Sequence, residues 1–179
     1  MTELWDVYDE NKNKTGKLVE RETYKFQKGE YHLITVAVII NSKNQILIAK
    51  RSEKKKRAPL KWEFSGGGVR AGENSLQAIL RELKEEIGLE FSAKEAIFLK
   101  DIRKDEENGS GSFKDFWLFK KDIKAENITF PDNEATEAKW VTIDELLEMV
   151  ENEEIISGVD FAREDFELAI EKSQYSKKA

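Results

Sequence analysis

The segment from Trp62 to Gly88 constrains the fold more than any other, because a glycine run leads there into a strongly patterned helix. Trp62–Val69 predicts a short strand that breaks into a glycine-rich loop. Asn74 is a suitable N-cap for a helix over 74–87, and Gly88 is a typical stop signal. At 100° per residue the apolar side chains of this helix form one narrow stripe, made of Leu76, Ile79, Leu80, Leu83 and Ile87. Such a stripe predicts that the helix packs against a sheet.

Acidic side chains lie beside this stripe. Glu82 and Glu86 are four residues apart, and Glu85 lies a little further round the helix. Like charges at this spacing destabilise a helix by roughly 0.2–0.5 kcal/mol per pair, and Arg81 offsets part of that repulsion. A divalent cation would reverse the repulsion, because carboxylate oxygens are the hard ligands that Mg²⁺ prefers. A solvated acidic face is the ordinary alternative, but the preceding glycines favour a metal site, since glycine backbone can approach a ligand closely.

The rest of the chain predicts one α/β domain over residues 1–179, with a mixed β-sheet sandwiched between helices. The β-branched run Tyr31–Ile40 is typical of a central strand that is buried on both faces. Residues 1–30 begin with a hairpin, and a homodimer through this hairpin is compatible with the sequence. The remaining expected strands are 45–51, 96–103, 113–119 and 139–141, and the remaining expected helices are 142–150 and 161–172.

Composition excludes several classes of function. The chain has no cysteine, which rules out disulfides and thiol nucleophiles, and its one histidine, His32, cannot form a multi-histidine metal site. The net charge of −6 disfavours non-specific binding to nucleic acid. No apolar run reaches the roughly 20 residues of a membrane span, and the acidic N-terminus lacks the apolar region of a signal peptide. We therefore expect a cytoplasmic protein that binds neither nucleic acid nor membrane.

The spacing of the glycine and glutamate residues resembles the Nudix box of the MutT-like hydrolases. Gly67 is followed after five residues by Glu73, and after seven more by the run Arg81–Leu89, so that residues 67–89 match the motif at every fixed position. Ser65 departs from the family pattern, in which proline is common there. The resemblance implies a Nudix fold. It also implies Mg²⁺- or Mn²⁺-dependent hydrolysis of a phosphoanhydride bond in a nucleoside diphosphate derivative or a similar small diphosphate.

The resemblance further implies a metal site. Glu82, Glu85 and Glu86 would hold the cation and carry catalysis, and the Gly67 carbonyl would add one more ligand. The residues implied to orient the carboxylates are Arg81, which also counts among the catalytic residues, and Glu73. The cation would lower the pKa of the attacking water and stabilise charge on the leaving phosphate.

Substrate-binding residues follow from the same resemblance. Arg51, Gly67 and Gly68 would approach the substrate. The general base is left open between a glutamate of the box and one in a later loop, for which Glu134 and Glu137 are the candidates. The substrate itself is also open, because specificity in this fold lies in loops outside the motif.

The N-terminal half is similar to the Nudix branch that contains isopentenyl-diphosphate isomerase and its hydrolase-like relatives. The likeness rests on Leu4–Asp9, Thr15–Gly16, Tyr31–Leu33 and Lys50–Ser52. The isomerase requires a catalytic cysteine and several metal-binding histidines. This chain has no cysteine, and His32 matches only one of those histidines. Hydrolysis is therefore the expected chemistry, with isomerisation as a disfavoured alternative. A non-catalytic nucleotide-binding Nudix module is the other alternative, although a binding module has no need of clustered like charges.

Overall fold

A computed structural model describes residues 2–156 and 160–175 of the chain. The strands in these residues are β1 (Leu4–Tyr8), β2 (Lys14–Glu20), β3 (Tyr31–Ile40), β4 (Ile46–Arg51), β5 (Trp62–Glu63), β6 (Gly66–Gly68), β7 (Ile97–Asp105), β8 (Gly111–Lys120) and β9 (Ala135–Val141). The helices are α1 (Ser75–Ile87), α2 (Ile143–Glu151) and α3 (Arg163–Tyr175). No helix in these parts of the chain has the length and apolar character needed to cross a bilayer.

Strand β3 is the centre of one mixed sheet. It pairs in parallel with β8 along its whole length and antiparallel with β1, β4 and β6. Its side chains alternate between two apolar clusters: Val36, Val38 and Ile40 face α2 and α3, whereas Ala37 and Ile39 face α1. The predicted α/β class, with a mixed sheet sandwiched between helices, is confirmed.

Helix α1 has the boundaries and the buried face that the sequence predicts. The Asn74 side chain accepts a hydrogen bond from the Gln77 N–H, and the Gln77 side chain accepts one from the Asn74 N–H in return. Gly88 ends the helix in the left-handed conformation, with φ of 65°. Ile79 and Leu83 are fully buried against the sheet. Because the apolar face of α1 packs against the sheet, the glutamates lie beside that face on the rest of the helix surface.

The glycine run differs from the prediction, because Gly66–Gly68 is a strand and not a loop. It pairs with Ile34–Val36 of β3. A Cβ atom at Gly66 would lie 2.1 Å from the Thr35 carbonyl oxygen, so that only glycine permits this close approach. The consequence is a backbone edge beside α1 that is held in place by its pairing with β3.

The N-terminal hairpin is docked on the segment that precedes α1. The Asp6 carboxylate accepts hydrogen bonds from the Gly72 N–H at 2.9 Å and from Lys14 at 2.7 Å. The Ala71 N–H donates to the Leu4 carbonyl at 2.7 Å. These bonds tie β1 and β2 to the residues that begin the motif.

Candidate active site

A cavity of about 400 Å³ lies where α1 meets the β5–β6 edge of the sheet. Helix α1 contributes Glu82 and Glu86 to its lining, β5 contributes Glu63, and β6 contributes Gly66 and Gly67. Glu82 and Glu86 share one face of α1 because they are four residues apart. The cavity therefore gathers carboxylates from two elements beside glycine backbone.

Glu86 is the most buried of these carboxylates, with 8% of the residue exposed. Its side chain accepts a hydrogen bond from the Gly66 N–H at 3.0 Å. Burial raises the pKa of Glu86 well above its ordinary value, and the negative charges of Glu63 and Glu82 raise it further, while Gly66 and Lys55 act in the opposite direction. A cation beside Glu86 would relieve both the burial penalty and the repulsion.

Glu82 is held by the residue that precedes it. Arg81 donates a hydrogen bond from Nη1 to Glu82 at 2.7 Å. Burial raises the pKa of Glu82, Arg81 opposes the rise and the charge of Glu85 adds to it. A Cβ atom at Gly67 would lie 2.6 Å from a Glu82 carboxylate oxygen. Gly67 is therefore needed here because any side chain would displace Glu82.

Arg81 connects most of the acidic residues of the motif. Its Nε and Nη2 donate to the two oxygens of Glu73 at 2.8 and 2.9 Å, and its Nη1 also reaches Glu85 at 3.1 Å. Burial alone would raise the pKa of Glu73, but hydrogen bonds from Arg81 and from the Arg70 N–H lower it below its ordinary value. This two-point pairing fixes the guanidinium plane. The geometry suits the orienting role expected of Arg81 and Glu73.

Glu85 lies apart from the other two glutamates of α1. It is not among the cavity-lining residues, its side chain is 42% exposed, and it pairs with Arg70 at 3.3 Å. Within residues 2–156 and 160–175, no group of three or more His, Asp or Glu side chains is arranged to hold a metal ion. The structure thus brings Glu82 and Glu86 together at the cavity and leaves Glu85 at its outer edge.

The glycine backbone corrects the expectation for the Gly67 carbonyl. The Ala37 N–H donates to Ser65, and the Val69 N–H donates to Leu33. In the alternating pattern of an antiparallel ladder these bonds make Thr35 and Gly67 a hydrogen-bonded pair. The Gly67 carbonyl therefore points at β3 and not at the glutamates.

Gly66 presents its backbone to the cavity instead, as its N–H bond to Glu86 shows. Gly66 and Gly67 cannot be distinguished from the sequence, because glycines have no side chains to show the strand period of two. Gly68 also departs from the prediction. It lies against the Trp5 ring, its carbonyl accepts from Arg81 at 3.3 Å, and it does not line the cavity.

Arg51 lines the cavity, but its guanidinium is committed to protein partners. Nη1 donates to both Glu63 oxygens at 2.7 and 2.9 Å, and Nε and Nη2 donate to the carbonyls of Arg57 and Ala58. Burial raises the pKa of Glu63 even though Arg51 opposes it. Arg51 thereby holds the loop over 52–61 in place. Glu63 is a cavity residue that the sequence analysis did not identify.

The two candidate bases occupy different places. Glu134 lines the cavity and pairs with Lys55, whose charge also acts on Glu63 and Glu86. Glu137 is outside the lining, and its 56% exposed side chain lies 3.6 Å from Lys50. Of the two candidates, only Glu134 is placed to act on a molecule in the cavity.

These donors suit a hard divalent cation. The site offers the carboxylates of Glu82 and of the buried Glu86, both with raised pKa values, beside the backbone of Gly66. Oxygen donors of this kind are the ligands of Mg²⁺ and Mn²⁺, and the chain has no thiolate that would favour a softer metal.

Comparisons with known proteins agree with this geometry. The family model of the NUDIX domain matches residues 30–157, which is more than two thirds of the chain. The chain belongs to the Nudix family. An uncharacterized Nudix hydrolase of Listeria monocytogenes is 35% identical over 147 residues, which cover 80% of this chain and 82% of the relative. The prediction of a Nudix pyrophosphohydrolase is confirmed at the level of this enzyme class.

Two further proteins match a shorter part of the chain or match it at lower sequence identity. The CTP pyrophosphohydrolase of Escherichia coli is 44% identical over 62 residues, which are 35% of this chain and 45% of the relative. A solved structure of a Deinococcus radiodurans protein superposes with a TM-score of 0.72 at 24% identity, covering 87% of this chain and 93% of that one. The second match shows that the two proteins share a fold.

Proposed function

We propose that this Nudix protein uses Mg²⁺ or Mn²⁺ to hydrolyse the phosphoanhydride bond of a nucleoside diphosphate derivative or a similar small diphosphate. The observation that carries the proposal is a pair of carboxylates with raised pKa values that line one cavity: the buried Glu86 and Glu82, whose side chain is 13% exposed. Such a pair is costly for the fold unless a cation neutralises it. A diphosphate would supply the remaining oxygen ligands.

The proposal gives the charged residues of the motif different roles. Glu82 and Glu86 would hold the cation, and Arg81 would keep the Glu82 carboxylate in place through its anchor on Glu73. Glu85 would join from the outer edge after a change of rotamer. When bound, the cation would activate water and stabilise charge on the leaving phosphate. The position of the Glu82 carboxylate therefore depends on Arg81 and Glu73, which would not contact the substrate.

Glu134 is the residue that we propose as general base. It lines the cavity and lies in a loop that is anchored by the hydrogen bond from the Ser52 N–H to the Glu134 carbonyl at 2.8 Å. Its carboxylate pairs with Lys55, so that binding of a negatively charged substrate near Lys55 would compete for this ammonium group and free Glu134 to accept a proton. Glu137, which lies outside the cavity lining, is the weaker candidate.

The test is a hydrolysis screen with Mg²⁺ and Mn²⁺, repeated with Glu86→Gln and the control Glu90→Gln. The screen covers nucleoside di- and triphosphates, sugar nucleotides, dinucleotides and prenyl diphosphates. We expect Glu86→Gln to lower turnover by roughly 100-fold or more, which is the scale of losing one charge-stabilising group at an active site. Glu90 is fully exposed and pairs with Lys84, so its replacement should leave turnover unchanged.

Folding is followed in the same variants by thermal unfolding. A carboxyl group whose pKa is raised in the folded state stabilises the fold below its ordinary pKa and loses that contribution as pH rises. Glu86→Gln should therefore unfold at the same or a higher temperature at pH 7. Full activity in Glu86→Gln would remove the proposal. Deuterium exchange into isopentenyl diphosphate would support the isomerase alternative, and tight nucleotide binding without any hydrolysis would support a non-catalytic module.

A further inference from the structure

The end of the cavity that lies away from α1 is formed by one face of the sheet. In the strand register, Ser112 of β8 lies between His32 of β3 and Lys104 of β7, and Lys114 is the next residue of β8 on the same face. All four side chains line the cavity, together with Arg21 from the end of the N-terminal hairpin. The register thus gathers Arg21, Lys104 and Lys114 around one histidine and one serine.

The positive charge at this end is only partly neutralised. Lys114 pairs with Asp160, and Arg21 pairs with Glu3 at 3.1 Å. Lys104 forms no ion pair within the described residues, although Glu106 lines the cavity nearby. Like charges at neighbouring positions of a sheet are unfavourable. A ligand with negative charge would remove this repulsion.

One polar group at this end also lacks a partner. His32 Nδ1 is buried and forms no hydrogen bond within the described residues. Ser112, which is paired with His32 in the strand register, is a buried residue that lines the cavity. A buried polar atom without a partner is unfavourable for the fold. Hydroxyl and ammonium donors beside each other are suited to bind a carboxylate or a phosphate oxygen.

The distance to the proposed metal site fits a substrate of moderate length. His32 is three residues before Thr35, which is the partner of Gly67, and three residues of strand span about 10 Å. A diphosphate held at Glu82 and Glu86 would therefore place the far part of its organic group near Lys104 and Ser112.

We propose that Arg21, Lys104, Ser112 and Lys114 form a subsite for a second anionic group, so that the preferred substrates carry a carboxylate or phosphate in addition to the scissile diphosphate. This inference rests on the proposed function for the location of the diphosphate. It adds that a negative charge on the part of the substrate far from the diphosphate determines which diphosphates bind most tightly.

The test compares ligand pairs that differ by one anionic group: UDP-glucose and UDP-glucuronate, dephospho-coenzyme A and coenzyme A, and NADH and NADPH. Dissociation constants are measured by calorimetry with Ca²⁺ in place of Mg²⁺, so that the readout does not depend on turnover. Lys104→Gln and Ser112→Ala are the variants. Lys120→Gln is the control, because Lys120 is an exposed residue at the end of β8 that does not line the cavity.

We expect the wild-type protein to bind the more anionic member of at least one pair roughly three- to tenfold more tightly, the scale of a partly exposed charge-assisted bond. Lys104→Gln should reduce this ratio towards one, added NaCl should weaken it, and Lys120→Gln should leave it unchanged. The carboxylate pair and the two phosphate pairs distinguish the two kinds of anion.

Equal binding within all three pairs would overturn the subsite, as would a ratio that survives in both Lys104→Gln and Ser112→Ala, or no binding of any of the six ligands. The first two outcomes are separate from failure of the proposed function, whereas the absence of all binding would count against both. The loss of hydrolysis in Glu86→Gln tests the metal site, whereas the binding ratio tests only the far end of the cavity.

Discussion

Lowering the pH from 7 to 5 should destabilise the protein through His32 by an amount that can be worked out. Burial lowers the pKa of His32 from 6.5 to about 4; the backbone of Gly111 opposes this shift, and the charges of Arg21 and Lys114 add to it. The unfolded chain therefore binds a proton at pH 5 that the folded chain largely refuses. Stability from this group is complete at neutral pH and is lost as pH falls below 6.5.

The magnitude follows from the two pKa values. At 1.4 kcal/mol per pH unit, the proton linkage of a group that moves from 6.5 to about 4 amounts to about 2 kcal/mol between pH 7 and pH 5. Other groups titrate in the same range, so the change must be measured as a difference between two proteins. His32→Phe is suitable because the His32 ring is stacked 4.8 Å from Trp5 and lies 5.1 Å from Phe26, and Phe keeps an aromatic ring there.

The assay is urea unfolding of the wild-type protein and His32→Phe at pH 7 and pH 5. The free energy of unfolding of the wild-type protein should fall by about 2 kcal/mol more than that of His32→Phe. Equal falls in the two proteins would mean that His32 is protonated in the folded state at pH 5. In that case the positive charge at the far end of the cavity would include His32, and the reasoning about its neutral ring would be wrong.

Three further predictions concern the motif. Arg81→Lys cannot pair with both oxygens of Glu73, so we expect a loss of turnover of roughly 10- to 100-fold, with metal binding by calorimetry weakened in step; unchanged affinity would contradict the orienting role. Gly67→Ala should displace Glu82 and lower turnover by at least roughly tenfold while the far-ultraviolet circular dichroism stays unchanged. Asn74→Ala removes a helix cap and should cost about 1 kcal/mol of unfolding free energy with little change in turnover.

The elements of this fold that carry a side-chain pattern could be predicted from the sequence. Helix α1 was predicted because its stripe, cap and terminal Gly88 are local signals, and β3 because both of its faces are apolar. Strand β6 could not be predicted, since three glycines carry no alternation and their pairing with β3 depends on residues 30 to 34 positions away.

In the candidate site, too, the positions set by the helix period could be predicted, whereas contacts between distant segments could not. The helix period placed Glu82 and Glu86 together and set Glu85 further round, as the structure has them. The commitment of Arg51 to Glu63 depends on the pairing of β4 with β5, which local patterns do not specify. Sequence spacing thus identifies site residues that lie within one helix or strand. It does not reveal which of them already pair with residues of another strand.

The N-terminal hairpin belongs to the site even though it precedes the residues that the Nudix family model matches. Asp6 holds the turn before α1 through the Gly72 N–H, and Trp5 covers the face of Gly68. Arg21, which follows the hairpin, lies 5.3 Å from the Trp5 ring and reaches the cavity. The same segment therefore supports the motif and supplies charge to the far end of the cavity. Under the proposed function, a change at Arg21 would therefore alter which diphosphates bind while leaving the glutamates of α1 in place, because α1 itself is fixed by its buried contacts with the sheet.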